Sequence, residues 1–481
     1  MASMNNGTKI RQPITCDVAI IGGGCSGVAL SVQLMRLCRS ALSIVVVDRS
    51  PRPGRGIAYD TRCDDHLLNV HVKSMSALAD ELNHFNNWIV GSRNVNITPD
   101  TFVPRGLYGE YLEHTLRSTL ENNPHCQLTY LTGNAISLSR KEYGFGVRLE
   151  CGTDVRSTVV VLAMGNARPS DPLRDKNIAK HLYADYAWDQ LALDGVPADG
   201  EVVLLGSGLT AIDQVLGLRA QGFQGRITMV SRRGKLPAVH CASSAWTGRW
   251  GAALPITVSS ATREVRRQIA FASQSDVDWR SVVDSLRPWT SAIWKQWSLE
   301  ERRRFLRHVR PYWEACRHRL PPDTNGTILQ LMTSGTLRVL AGRVIEAVPL
   351  DRKVDVTILL RGGREKTKLS TDRIINCTGS ATSDRVQEPF IEKLLEIGLA
   401  TYDPLRIGIG TDDHARVIGA SGEPSADLYA LGPLRKGTLW ETTAVPEIRE
   451  QALQLAERIT NRLSEKDIRE HKDRLIAGIT R

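Results

Sequence analysis

The residues with the plainest chemical use are Gly22, Gly24 and Gly27, set in CDVAIIGGGCSGVALSVQLMRLCRSALSIVVVDR (Cys16 to Arg49). In this spacing the first glycine permits a tight turn, the second lets the backbone approach a pyrophosphate, and the third allows a helix to pack closely on a strand. Ser26 lies in the same turn, and the helix that starts there points its free N–H groups at phosphate oxygens. Asp48 ends the next apolar run roughly 20 residues on, where a carboxylate accepts hydrogen bonds from the ribose of an adenine dinucleotide. The glycine spacing alone also fits a plain turn. Strand, helix, second strand and terminal acid in that order select dinucleotide binding.

A second copy runs from Glu201 to Arg233, EVVLLGSGLTAIDQVLGLRAQGFQGRITMVSRR, with Gly206, Gly208 and Ala211 at the corresponding positions and Thr210 between them. The acid at the end of its second strand is missing, and Ser231, Arg232 and Arg233 follow instead. Two guanidinium groups there pair with a 2′-phosphate, which favours NADP over NAD; the alternative is a solvated surface turn. Asp213 in the second helix reads as an ordinary helix-face carboxylate, solvated or paired with neighbours.

These motifs require elements to hold them. Each glycine-rich half is followed, after an insertion, by strand-like segments with hairpin signals at Glu142 to Gly146 and Arg361 to Gly363. Each half then closes on an apolar strand and a small-residue turn, at Ala163-Met164-Gly165 and Cys377-Thr378-Gly379. Gly165 and Gly379 suit either close approach to a ligand or a simple change of chain direction. The expected fold is α/β: two Rossmann-like dinucleotide-binding domains with β-meanders and a helical insertion. The expected units are residues 1–195, 196–380 with an insertion near 240–326, and 381–481, the last completing the first unit. Two dinucleotide sites in one chain imply a hydride path, with FAD at the carboxylate-bearing first site and NADPH at the arginine-flanked second.

At this point the sequence resembles the two-dinucleotide-binding flavoproteins. GRGIAYDTRCDDHLLNVHVKSMSALADELNHFNNWI and LGPLRKGTLWETTAVPEIREQA look like the bacterial FAD/NAD(P)-binding family related to N-hydroxylating flavin monooxygenases. The resemblance implies that the segment after the second strand crosses the flavin ring, bringing Tyr59, His66, Asn69, Val70 and Ser76 towards FAD, with Asn69 the candidate nearest the chemistry. It also implies that a C-terminal strand, turn and helix present Gly432 and Thr442 to the flavin. Independently, Gly54 to Trp88 lacks regular periodicity, as expected of a loop shaped around a ligand or of an ordinary long connection.

The implied activity is NADPH-dependent oxygenation of a nucleophilic heteroatom, an amine nitrogen by resemblance, through a C4a-(hydro)peroxyflavin. The substrates are then a small molecule and molecular oxygen. Sulfur oxidation stays open, while the Baeyer-Villiger fingerprint FxGxxxHxxxWP is absent between the two glycine motifs. The alternatives are a reductase passing electrons to a protein or quinone, and a non-enzymatic redox sensor or scaffold. With no Cys-x-x-Cys among the nine cysteines, dithiol chemistry has no support.

Residues 239–326 change character: helical spacing, tryptophans at 279, 289, 294, 297 and 313, and a run of arginines from 302 to 319. The tryptophans suit packing against the NADPH unit or a lid over substrate. The arginines suit a solvated face, a carboxylate clamp or a partner; without a nucleic-acid module, nucleic acid is not expected. The eleven histidines show no metal-ligand spacing, so no metal is expected. With 42% apolar and 24% charged residues, a net charge of +10, no apolar run of spanning length and no secretory pattern at Met1 to Thr15, the expectation is a folded cytoplasmic protein that attracts anions.

Overall fold

Continuous apolar runs bounded by glycine turns fold as parallel strands covered on both faces. The computed structural model describes residues 12–93, 97–189, 191–248, 250, 254–379 and 388–479. In chain order the strands are β1 (Ile14–Ile21), β2 (Leu42–Asp48), β3 (Cys126–Thr132), β4 (Ala135–Lys141), β5 (Gly144–Leu149), β6 (Asp154–Leu162), β7 (Tyr183–Ala184) and β8 (Glu201–Leu205). They continue as β9 (Arg226–Ser231), β10 (Leu337–Pro349), β11 (Val354–Leu360), β12 (Lys366–Thr371), β13 (Arg373–Asn376), β14 (Arg416–Ile418) and β15 (Pro424–Ala430).

The first sheet has the order β14-β15-β6-β1-β2-β3, parallel from β15 to β3. The beginning of β6 pairs with the β4–β5 hairpin and its end with β15. The second sheet, β12-β11-β10-β9-β8-β13-β7, repeats the plan: a parallel core with a β-meander on β10. The two expected hairpins are β4–β5 and β11–β12.

Helices Cys25–Leu37, Arg105–Glu121 and Val445–Ile479 cover one face of the first sheet, burying Leu30, Leu34, Tyr108, Leu112, Ala452 and Leu455 against β1 and β2. Helix Leu209–Ala220 does the same for the second sheet with Ile212, Val215 and Leu216. The repeat extends to backbone detail. Gly22 has φ +110° and a Cβ there would lie 2.3 Å from the Ala163 carbonyl oxygen, while Gly206 has φ +123° and would meet the Cys377 oxygen at 2.4 Å. At both places glycine alone lets the turn close against the end of the neighbouring parallel strand.

Two expectations are corrected. Tyr183–Ala184 pairs with Ile374–Ile375 in the second sheet, so the chain has crossed between sheets before residue 195; the other expected boundary, 380/381, lies outside the described residues. Of the insertion's tryptophans, Trp294 and Trp297 pack on the C-terminal segment rather than on the second unit. Trp294, 1% exposed, stacks on Trp440 at 4.9 Å and donates its indole N–H to the Gly437 carbonyl at 2.8 Å. Trp297 and Phe305 join the same cluster with Ile407. The insertion is thus cemented to the C-terminal segment because that segment supplies the complementary aromatic and aliphatic surface. No helix among the described residues is long and apolar enough to cross a membrane.

Candidate functional site

The first glycine turn sorts its glycines by what surrounds them. A Cβ on Gly27 would lie 2.0 Å from the Gly22 oxygen, so that glycine serves the helix–strand contact. One on Gly24 would meet only Gly56, at 3.5 Å from its Cα, in ordinary van der Waals contact. Gly24 and Gly56 therefore approach each other backbone to backbone at the N-terminus of helix Cys25–Leu37, whose first N–H groups suit an anion. Asp48 Oδ2 accepts the Gly23 N–H at 2.6 Å and Oδ1 the Ser50 N–H at 2.7 Å, which fixes the carboxylate at the end of β2. Beside it lies a cleft lined by Arg49, Gly133, Asn134, Glu150 and Cys151. Cys25, in the turn itself, has its thiol pushed up to about 12 by burial and is no nucleophile at neutral pH.

The segment after β2 is tied down residue by residue. Tyr59 ends the short helix Gly56–Tyr59 and sets its ring edge-on to Tyr108 at 4.7 Å, burial raising its phenol pKa. His66 is buried, with Nδ1 2.7 Å from the Thr61 hydroxyl and Nε2 2.8 Å from the Asp213 carbonyl of the second unit. A carbonyl accepts only, so Nε2 carries the proton and Nδ1 accepts from Thr61. Burial lowers its pKa and keeps it neutral. The Asn69 carbonyl accepts from His240 Nε2 at 3.0 Å, and Val70 packs against the first core. The Ser76 hydroxyl is fully buried and donates to the Glu81 carbonyl at 2.6 Å, which makes it a brace of the loop.

In the second turn Gly208 faces open space, while Ala211 is buried under the helix. Thr210 lies in the first turn of that helix. At the end of β9 Arg232 is exposed, and Arg233 donates Nη1–H to the Tyr312 hydroxyl at 3.0 Å with its guanidinium 4.9 Å from that ring. Lys235 lies over the same ring at 4.8 Å. Arg233 and Lys235 therefore meet on one tyrosine ring just after β9. Gly165 and Gly379, at the ends of β6 and β13, also face open space.

The C-terminal strand turn meets the first glycine turn directly, since a Cβ on Gly432 would lie 2.6 Å from Ser26 Oγ. Thr442 is fully buried and its hydroxyl has no partner among the described residues. A buried hydroxyl left unpaired is costly, and a flavin edge would satisfy it. Between them Trp440 adopts φ +64°, with the Glu441 N–H bonded to the Leu439 carbonyl at 2.9 Å in a strained three-residue turn. Glu441 then accepts from Trp313 Nε1 at 3.2 Å, and Lys436 lies over the Trp440 ring, its pKa lowered to about 8 by burial.

Sequence reasoning missed Arg105, Asp213, His240, Tyr312 and Lys436. Asp213 is not a solvated helix-face acid: it is 4% exposed and bonded to Arg105 Nη1 at 2.7 Å, across the junction of the two units. Its sequence signal was a carboxylate between Ile212 and Val215 on a mostly apolar helix. Among the described residues no cluster of side chains could hold a metal ion.

Residues 19–167 match the model of a family described as FAD-NAD(P)-binding. The chain is similar in structure to the reduced form of ornithine hydroxylase from Pseudomonas aeruginosa, at 14% identity and a TM-score of 0.64, covering 94% of this chain and 100% of that one. It is likewise similar to L-lysine 6-monooxygenase from Pseudomonas syringae, 15% identical with a TM-score of 0.63 over 94% and 99% of the two chains. The ornithine N-hydroxylase of Kutzneria sp. 744, solved with reduced FAD, NADP+ and L-ornithine, gives 14% and 0.62 over 93% and 99%. No curated protein matches the sequence. The fold is that of the two-dinucleotide-binding flavoproteins.

Proposed function

We propose that this chain is an NADPH-dependent flavin monooxygenase that oxygenates an amine nitrogen of a small molecule. The observation that carries the reading is the repeated glycine turn, closed by Asp48 in one copy and by Arg232 and Arg233 in the other, in a chain whose two units meet along residues 61–71. In this reading residues 1–182 and 381–481 form the FAD unit around an NADPH unit. Gly22, Gly24, Ser26, Gly27 and Asp48 hold the adenosine and pyrophosphate of FAD, Gly432 and Thr442 its ring edge, and Gly165 its flank. Gly206, Gly208, Thr210, Ala211, Arg232 and Arg233 hold NADPH, with Gly379 beside it. Tyr59, His66, Asn69, Val70 and Ser76 shape the wall between the two cofactors, Asn69 being the polar side chain assigned to the reacting end. Bound FAD supplies the two-electron relay and oxygen activation that no side chain provides. The protein's task is to orient both cofactors and to exclude water.

The amine class is supported by the ornithine and lysine enzymes that share the fold. Oxygen uptake by the FAD-loaded chain with NADPH, measured over a panel of primary amines, tests it. The reading expects uptake stimulated by one of them, with one hydroxylamine formed per NADPH. Amine-independent uptake yielding only hydrogen peroxide across the panel would reject it.

A further inference from the structure

Two hydrogen bonds tie the stretch 61–71 to the second unit, and a third ties Arg105, which braces that stretch, to the same unit. His66 Nε2 donates to the Asp213 carbonyl at 2.8 Å, Arg105 Nη1 donates to Asp213 Oδ2 at 2.7 Å, and His240 Nε2 donates to the Asn69 carbonyl at 3.0 Å. Arg105 is itself built into the stretch, its backbone N–H bonding the His66 carbonyl at 2.8 Å and its Nε the Leu67 carbonyl at 3.0 Å. The ion pair is enclosed, with side-chain exposures of 12% for Arg105 and 6% for Asp213. Asp213 lies on helix Leu209–Ala220, whose N-terminus is the second glycine turn. One turn further along, Gly217 faces the imidazole: a Cβ there would lie 3.7 Å from His66 Nε2 and 2.9 Å from Leu193 Cδ1. Glycine inside a helix is unfavourable by propensity, and here it makes room for Leu193, while a Cβ would touch His66 only in ordinary van der Waals contact.

We propose that Asp213, through the ion pair of its carboxylate with Arg105 and beside the bond from His66 to its main-chain carbonyl, is a positioning residue that latches segment 61–71 onto helix Leu209–Ala220 and so sets the distance and angle between the two cofactor sites. The inference rests on the reading of those sites as FAD and NADPH sites. The physical reason is stiffness. A buried ion pair with bonds on both partners fixes one register between two packed bodies, whereas apolar contacts tolerate sliding. Hydride transfer falls steeply when donor and acceptor are displaced by about 1 Å, so a latch remote from the reacting atoms governs its rate while leaving binding alone.

Two measurements on full-length protein test this. In cofactor-free protein, amide hydrogen exchange over 61–71 is expected to quicken at least tenfold in Asp213→Asn and less in Thr61→Val, with the turn at Gly22 to Gly27 unchanged. In FAD-loaded protein under anaerobic conditions, Asp213→Asn is expected to slow flavin reduction by saturating NADPH at least tenfold, with the dissociation constant for NADPH and the FAD content within twofold of wild type. Asp213→Glu is expected to recover part of the rate. Unchanged exchange in both variants overturns the latch. A rate loss matched by lost FAD content makes Asp213 merely structural and overturns the positioning role. Wild-type flavin that NADPH does not reduce defeats the cofactor reading and the positioning role with it, while the exchange result still decides whether the latch exists.

Discussion

Substituting Gly24 by valine separates ligand binding from folding, because the two glycines flanking the pyrophosphate position have opposite surroundings. At Gly24 the backbone sits at φ −73°, ψ −163°, extended geometry that valine adopts freely, and a Cβ meets nothing closer than Gly56 Cα at 3.5 Å. The cofactor-free variant should therefore unfold within about 1 kcal/mol of wild type. A branched side chain here would, however, crowd the approach to the helix N-terminus, so FAD affinity should fall at least about a hundredfold. FAD at 100 times its dissociation constant stabilises a native protein by about 2.7 kcal/mol, and that increment should disappear. Gly27→Val is the control: its Cβ would sit 2.0 Å from the Gly22 oxygen, and the fold itself should fail. Thermal unfolding with and without added FAD, together with the flavin absorbance retained on desalting, reads both quantities. Full FAD retention by Gly24→Val, or its collapse without cofactor, would refute the assignment of roles within the turn.

Replacing Arg232 and Arg233 together with alanine should raise KM for NADPH about tenfold or more and leave NADH nearly unchanged, since charge-assisted bonds to phosphate contribute about 1.5–3 kcal/mol; steady-state kinetics with both nucleotides decides. Thr442→Val should weaken FAD binding without lowering cofactor-free stability, because its hydroxyl has no partner to lose among the described residues; parallel FAD titration and urea unfolding test this. Trp294→Ala should cost about 3–5 kcal/mol in urea unfolding, given its near-complete burial and its stack on Trp440. His240 is lowered to about 4, and His66 is lowered too, chiefly by burial, so the unfolded chain takes up their protons first. Stability is then full above about pH 6.5 and falls as pH drops from there towards 4. His240→Gln should flatten that slope.

The two glycine turns and the meanders were legible because their signals are local. A turn that needs φ above zero, an apolar strand and a terminal charge all occur within about thirty residues, and the physics that selects them acts over the same distance. The insertion's partner was not legible, since nothing in Trp294 or Trp297 specifies that Trp440 and Ile407 will form the facing surface. Asp213 shows the same limit more sharply. A carboxylate on a helix is solvated in most settings, and what buries it is Arg105, over a hundred residues away in another unit. The small strand Tyr183–Ala184 escaped because two residues carry no periodicity, and only its pairing with β13 assigns it to the second sheet. Contacts between units are set by tertiary geometry, which no local pattern carries.

The central claim is a hydride relay between two dinucleotide sites in one chain, and anaerobic mixing of the FAD-loaded protein with NADPH or with NADH measures it directly. NADPH should bleach the oxidised flavin absorbance, faster than NADH at equal concentration, with the preference lost when Arg232 and Arg233 are replaced by alanine. Flavin that stays oxidised with saturating NADPH would contradict it.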